Sequence, residues 1–138
     1  MKIQLSSIMV DDQQKALRFY TEKLGFVEKH NIPMGEFSWI TLVSPEAPDG
    51  VELVLEPNNN PAALAFTSAL RKQGTPLTAF LVDDVHAEYA RLKKLGVAFR
   101  AEPKAMGPVT AAVLDDTCGN YIQIYSHNAP EGGGAAAD

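Results

Sequence analysis

Two polar residues sit in matched apolar contexts: Glu52 within Val51-Glu52-Leu53 and Gln123 within Ile122-Gln123-Ile124, 71 positions apart. A carboxylate can take and return a proton, and an amide can hold a polar group in place. The other residues capable of chemistry lie elsewhere. His30 falls on a strand remote from this pair, His86 in the first turn of a helix, and His127 just past the last strand. All three read as surface or structural histidines. Cys118 occupies the turn Asp115-Asp116-Thr117-Cys118-Gly119-Asn120, whose acids raise its thiol pKa, so it reads as a turn residue and not a nucleophile. The sequence contains no Walker loop, Rossmann fingerprint, zinc-finger spacing or nucleophile elbow.

The elements that position Glu52 and Gln123 occur twice. Ile8-Met9-Val10-Asp11-Asp12, a helical stretch and Leu24-Gly25-Phe26 are echoed by Phe80-Leu81-Val82-Asp83-Asp84, a helical stretch and Leu95-Gly96-Val97, with Val10 and Val82 72 positions apart. Met34-Gly35 and Met106-Gly107 share that spacing. A repeat held in register over half the chain means two copies of one supersecondary unit. Residues 2–10 alternate and run into a helix cap, residues 12–24 form an amphipathic helix closed by Gly25, and strands follow at 26–32, 36–44 and 50–56. The second copy has a strand at 76–82, a helix at 84–95 with Val85, Tyr89, Leu92 and Leu95 inward, and strands near 97–102, 109–115 and 120–126. The expected organisation is therefore one domain over 1–127. Module 1 spans about 2–57, a linker helix 61–73, and module 2 about 75–127, with residues 128–138 a disordered tail.

Composition sets the class. The 138 residues suit one compact domain, and 46% apolar content is ordinary for a globular chain. A net charge of −5 argues against a nucleic-acid partner. No apolar run is long enough to span a membrane. A single cysteine points to a reducing, cytoplasmic setting.

The motifs Val10-x-Asp12-x-x-Lys15-Ala16-Leu17-x-Phe19-Tyr20, Leu24-Gly25-Phe26, Gly50-Val51-Glu52-Leu53, Gly107-Pro108 and Asp116-x-x-Gly119-Asn120-x-Ile122 resemble the vicinal oxygen chelate superfamily. That superfamily includes glyoxalase I, bleomycin-resistance proteins and extradiol dioxygenases. The resemblance covers roughly residues 3–126 and implies an α+β fold of two tandem βαβββ modules, each curled into a partial barrel around a cavity. Strand alternation then turns Leu5, Ser7, Met9, Glu52, Val54 and Glu56 inward from module 1, and Leu77, Ala79, Leu81, Tyr121, Gln123 and Tyr125 from module 2. Trp39, with Phe37, joins them in an aromatic, apolar wall.

Metal-using members of the family supply ligands from the first and last strands of each module. Carried onto this chain, those positions are Leu5, Glu52, Leu77 and Gln123, and a one-residue shift offers only Ser6 and Thr78. Leucine cannot ligate, so the expectation is no metal and no cofactor. Glu52 is either a base whose pKa is raised by apolar surroundings or a relic hydrogen-bonded to Gln123, Tyr125 or water. The expected function is a metal-free protein binding a small apolar organic molecule at Leu5, Ser7, Met9, Trp39, Glu52, Leu77, Tyr121, Gln123 and Tyr125. The alternative is a metal-assisted lyase, isomerase or dioxygenase-like enzyme using Glu52, and an assembly module without ligand chemistry is a third possibility. The resemblance also implies a homodimer.

Overall fold

A computed structural model describes residues 1–129. The tail expected to be disordered lies outside the described residues from residue 130 on. The first module contains β1 (Leu5–Val10), α1 (Gln13–Arg18), β2 (Val27–Met34), β3 (Phe37–Val43) and β4 (Glu52–Pro57). Helix α2 (Pro61–Gln73) leads to β5 (Thr78–Leu81), α3 (Val85–Lys94), β6 (Lys104–Met106), β7 (Val109–Asp115) and β8 (Tyr121–His127). Each module forms a four-stranded sheet with its first and last strands side by side, in the orders β1-β4-β3-β2 and β5-β8-β7-β6. This is the expected pair of βαβββ units.

The local chemistry explains the repetition. Asp12 accepts hydrogen bonds from the Gln14 and Lys15 amides, and Asp84 from those of His86 and Ala87, so the same cap starts both helices. Gly25 and Gly96 then reverse the chain at φ +87 and +86, a backbone conformation that side chains disfavour. The first helix changes pitch at its end. Phe19–Lys23 form a π-helical turn in which the Leu24 amide reaches the Phe19 carbonyl, and Tyr20 is turned fully into the core.

One core serves both modules. Ile8, Val10, Tyr20 and Leu55 from the first pack in a single cluster with Val85, Leu92, Leu114 and Ile122 from the second. A polar tie crosses the same boundary. Buried Asp116 accepts from the Tyr20 hydroxyl at 2.6 Å and from the Cys118 and Asn120 amides, while Asn120 Nδ2 donates to the Met9 carbonyl at 2.8 Å. The partly buried rings of Phe26 and Phe80 also meet across the boundary, edge to face at 5.0 Å.

Three sequence expectations need correction. The strand expected near 97–102 is only a bridge between Phe99 and Leu114, and the true strand is Lys104–Met106. Backbone bonds already reach β7 at Ala98 and Arg100, the ladder then breaks, and pairing resumes at residue 104 after Pro103, which has no amide donor. Leu95, expected inward, is 40% exposed because the helix ends before it and the chain turns at Gly96. The Cys118 thiol is raised to about 12, but burial is the largest cause and Asp116 the second.

Candidate ligand-binding site

The helix-side faces of both sheets are consumed by the core, so the opposite faces are available to ligands. On sheet 1, strand register sets Leu5 beside Glu52, Ser7 beside Val54, and Val54 beside Thr41. Leu5 is half exposed, Met9 and Trp39 are half-buried, and Glu52 is only 9% exposed.

Two residues converge on Glu52: His30, which the sequence set apart, and Lys29, which it did not single out. Lys29 Nζ lies 3.6 Å from Glu52 Oε2, and His30 Nε2 lies 3.7 Å from Oε1. Neighbours in a regular strand point to opposite faces. Here Glu28 pairs with Leu42 and His30 with Thr41, so Lys29 is an extra residue in a β-bulge. The bulge brings both side chains to the acid. His30 is therefore not remote from the site. The available signal was the run Glu28-Lys29-His30-Asn31, where the alternation of a half-buried strand breaks down.

Of the two readings of Glu52, the base with a raised pKa is set aside. Its carboxyl is held below the usual carboxylate range, first by the facing Thr41 hydroxyl and then by Lys29 and His30, against the opposing effect of desolvation. Thr41 Oγ1 is buried without a hydrogen bond of ordinary geometry, so it acts on Glu52 as a nearby dipole and not as a closed bond. A depressed carboxylate is a hydrogen-bond acceptor and a weak base.

Sheet 2 presents different chemistry. The Tyr121 ring is clamped between two guanidinium groups, with Arg71 Cζ at 4.4 Å and Arg100 Cζ at 4.8 Å from its centroid. Arg71 forks onto Asp115 through bonds of 3.0 and 2.8 Å, which holds the Asp115 carboxyl low. Arg100 donates to the Gly74 carbonyl, and its guanidinium fills the space a Cβ at position 74 would need. Gln123 and Arg100 line a hollow of about 330 Å³ with Lys104 and Met106. Tyr125 is half-buried beside His127, the last residue of β8.

The site residues expected from sequence thus fall on two faces. Leu5, Ser7, Met9, Trp39 and Glu52 belong to sheet 1, and Tyr121, Gln123 and Tyr125 to sheet 2. Leu77 precedes β5 and packs against the core cluster, while the residue paired with Gln123 is Ala79.

A family-type metal centre does not fit these residues. Leu5 and Ala79 stand across from Glu52 and Gln123, and neither can ligate. The Lys29 ammonium already takes a cation's place beside Glu52. Among the described residues, no three His, Cys, Asp or Glu side chains are placed to hold a metal ion.

The paired βαβββ modules and their outward sheet faces define the class, and the chain belongs to the Glyoxalase/Bleomycin resistance protein/Dioxygenase superfamily, whose family model matches residues 2–124. It is 58% identical over 124 residues to the uncharacterized protein YurT of Bacillus subtilis (strain 168), covering 90% of this chain and 98% of that one. Among solved structures it is similar to UcmS2, at 32% identity and TM-score 0.77 over 91% of this chain and 97% of the other. It is also similar to TnmS3, an antibiotic binding protein from Streptomyces sp. CB03234, at 30% identity and TM-score 0.73 over 93% and 97% of the two chains. No helix among the described residues is long and apolar enough to cross a membrane.

Proposed function

We propose that this protein binds a small, largely apolar organic molecule on the sheet 1 face, without a metal ion and without transforming it. The observation that carries this reading is the state of Glu52: nearly buried, ionised, and flanked by Lys29 and His30 at distances too long for closed hydrogen bonds. These groups can grip a polar substituent through one acceptor and two donors. Around them, Leu5, Ser7, Met9 and Trp39 supply a surface for an apolar body. The similarity to TnmS3 supports an antibiotic-like ligand.

The ligand needs a second wall, and we assign it to a homodimer that sets the sheet 1 face of one protomer against the sheet 2 face of its partner. Exposed Ile32, Met34 and Phe37 on the first face, and Leu81 and Met106 on the second, support that arrangement. Tyr121, Gln123, Tyr125 and Arg100 then complete the pocket, while Leu77 contributes through the core behind it.

The chain's single tryptophan, Trp39, provides the test. Titration with a panel of aromatic antibiotics should quench its fluorescence saturably, and Glu52→Gln should weaken binding about tenfold. Elemental analysis of the purified protein should find no stoichiometric divalent ion. The reading fails if no compound in the panel saturates, or if about one equivalent of metal is present and lost in the Glu52 variant.

A further inference from the structure

The seam between the modules opens into a cleft of about 410 Å³ that the sheet faces do not share. Module 1 contributes Leu24, Phe26 and the Ser44–Glu46 loop, and module 2 contributes the end of β5 and the first turns of α3. The volume lies within the roughly 300–1,000 Å³ of small-molecule sites. Its floor is apolar, made by the Phe26–Phe80 pair together with Leu92 and Ile124.

The mouth carries one sign of charge. Glu46, Asp83, Asp84 and Glu88 line it against a single cation, Arg91. Arg91 is already committed: it forks onto both Glu88 oxygens at 2.8 Å and donates to the Lys23 carbonyl. Asp84 spends one oxygen capping α3. Among the described residues, Asp83 and Glu46 form no ion pair. Two uncompensated carboxylates from opposite modules therefore stand over an aromatic floor.

We propose that this cleft is a second binding site, selective for an amphiphilic organic cation with an aromatic or aliphatic body and a single amine or quaternary nitrogen. The body enters against Phe26 and Phe80, and the nitrogen rests between Glu46 and Asp83. The apolar floor suits the body of such a ligand, which it removes from water. An anionic ligand meets repulsion at the same mouth. This inference does not depend on the sheet 1 reading, because no residue assigned there to touch the ligand lines the cleft; Leu81 alone lies both at the cleft and on the proposed dimer face.

The probe is the fluorescent cation dimethylaminostyryl-methylpyridinium, with anilinonaphthalene sulfonate as its anionic counterpart, both followed by fluorescence on the full chain. The cation should bind saturably in the micromolar range and the anion at least tenfold more weakly. The double variant Glu46→Gln/Asp83→Asn should weaken the cation about tenfold, and Ala87→Trp, which fills the mouth, should abolish binding. Circular dichroism identifies a folded variant, and if Ala87→Trp does not fold, the charge variant alone decides. The proposal is overturned if the anion binds as tightly as the cation, or if the charge variant binds the cation unchanged. Loss of cation binding in Glu52→Gln with the cleft variants unaffected would place the dye on sheet 1 and also overturn it.

Discussion

The outward faces of the two sheets are built on one plan and do opposite things with charge. On sheet 1 an acid is the centre, and Lys29 and His30 gather around it without closing hydrogen bonds. On sheet 2 the matching position holds the neutral amide of Gln123, and the cations are used up: Arg71 and Arg100 stack on Tyr121, and Arg71 is locked to Asp115. The first arrangement leaves bonding capacity for an incoming group, whereas the second stiffens a wall. Duplication therefore preserved the scaffold, and a bulge in one copy and a neutral amide in the other separated their chemistry.

The comparison presumes that both modules are held as one body, and Asp116 is the place to break it. Asp116→Ala leaves the Tyr20 hydroxyl and the Asn120 donors buried without their acceptor. A loss of about 3–5 kcal/mol in urea unfolding is expected. A loss below about 1 kcal/mol would show that the Asp116 carboxylate contributes little to joining the modules.

A smaller effect sharpens the claim that sheet 2 is locked. Arg71→Ala should cost about 1 kcal/mol, discounted because the side chain is 37% exposed. Asp115 has a lower pKa folded than unfolded, so the pair contributes stability above the ordinary value of 3.8 and loses it as pH falls through the lower folded value. The wild type should accordingly lose its advantage over Arg71→Ala on acidification below about pH 4. An advantage independent of pH would assign the role to stacking on Tyr121 instead of the carboxylate.

The smallest effect probes the open state of sheet 1. Thr41→Val is nearly isosteric and removes a buried hydroxyl that lacks a closed bond, so stability should change by no more than about 1 kcal/mol in either direction. The Glu52 titration, followed by carboxyl-carbon NMR, should move up towards the ordinary 4.5 in the same variant. A large destabilisation would mean that Thr41 and Glu52 are fully bonded, and the site less open than described.

The scaffold was legible because its signals are local and doubled. Asp12 and Asp84, Gly25 and Gly96, and the alternating Ile8–Val10 and Phe80–Val82 each state one element in chemistry that the other module repeats. The site was harder to read. Lys29 and His30 reach Glu52 only because one extra residue shifts strand register, and no glycine or proline marks the shift. Counting back from Val82 lands on Leu77, ahead of β5, because the first and last strands of module 2 pair in a different register from those of module 1. One of the two readings of Glu52 gave its pKa the wrong sign for the same reason, since its environment was inferred without its two cations.

The reach of the Asp116 tie also bears on synthesis. Tyr20 and Asp116 are 96 residues apart. When Pro57 clears the ribosome, all four strands of sheet 1 exist and can pair. The Tyr20 hydroxyl, however, has no acceptor, and the Met9 carbonyl has no donor, until Asp116 and Asn120 emerge. The apolar floor is covered only in stages, as Val85 and Leu92 and then Ile122 follow. The N-terminal half therefore waits as an incomplete nascent chain, and the turn at 115–120 is the latch that joins its core to the second module.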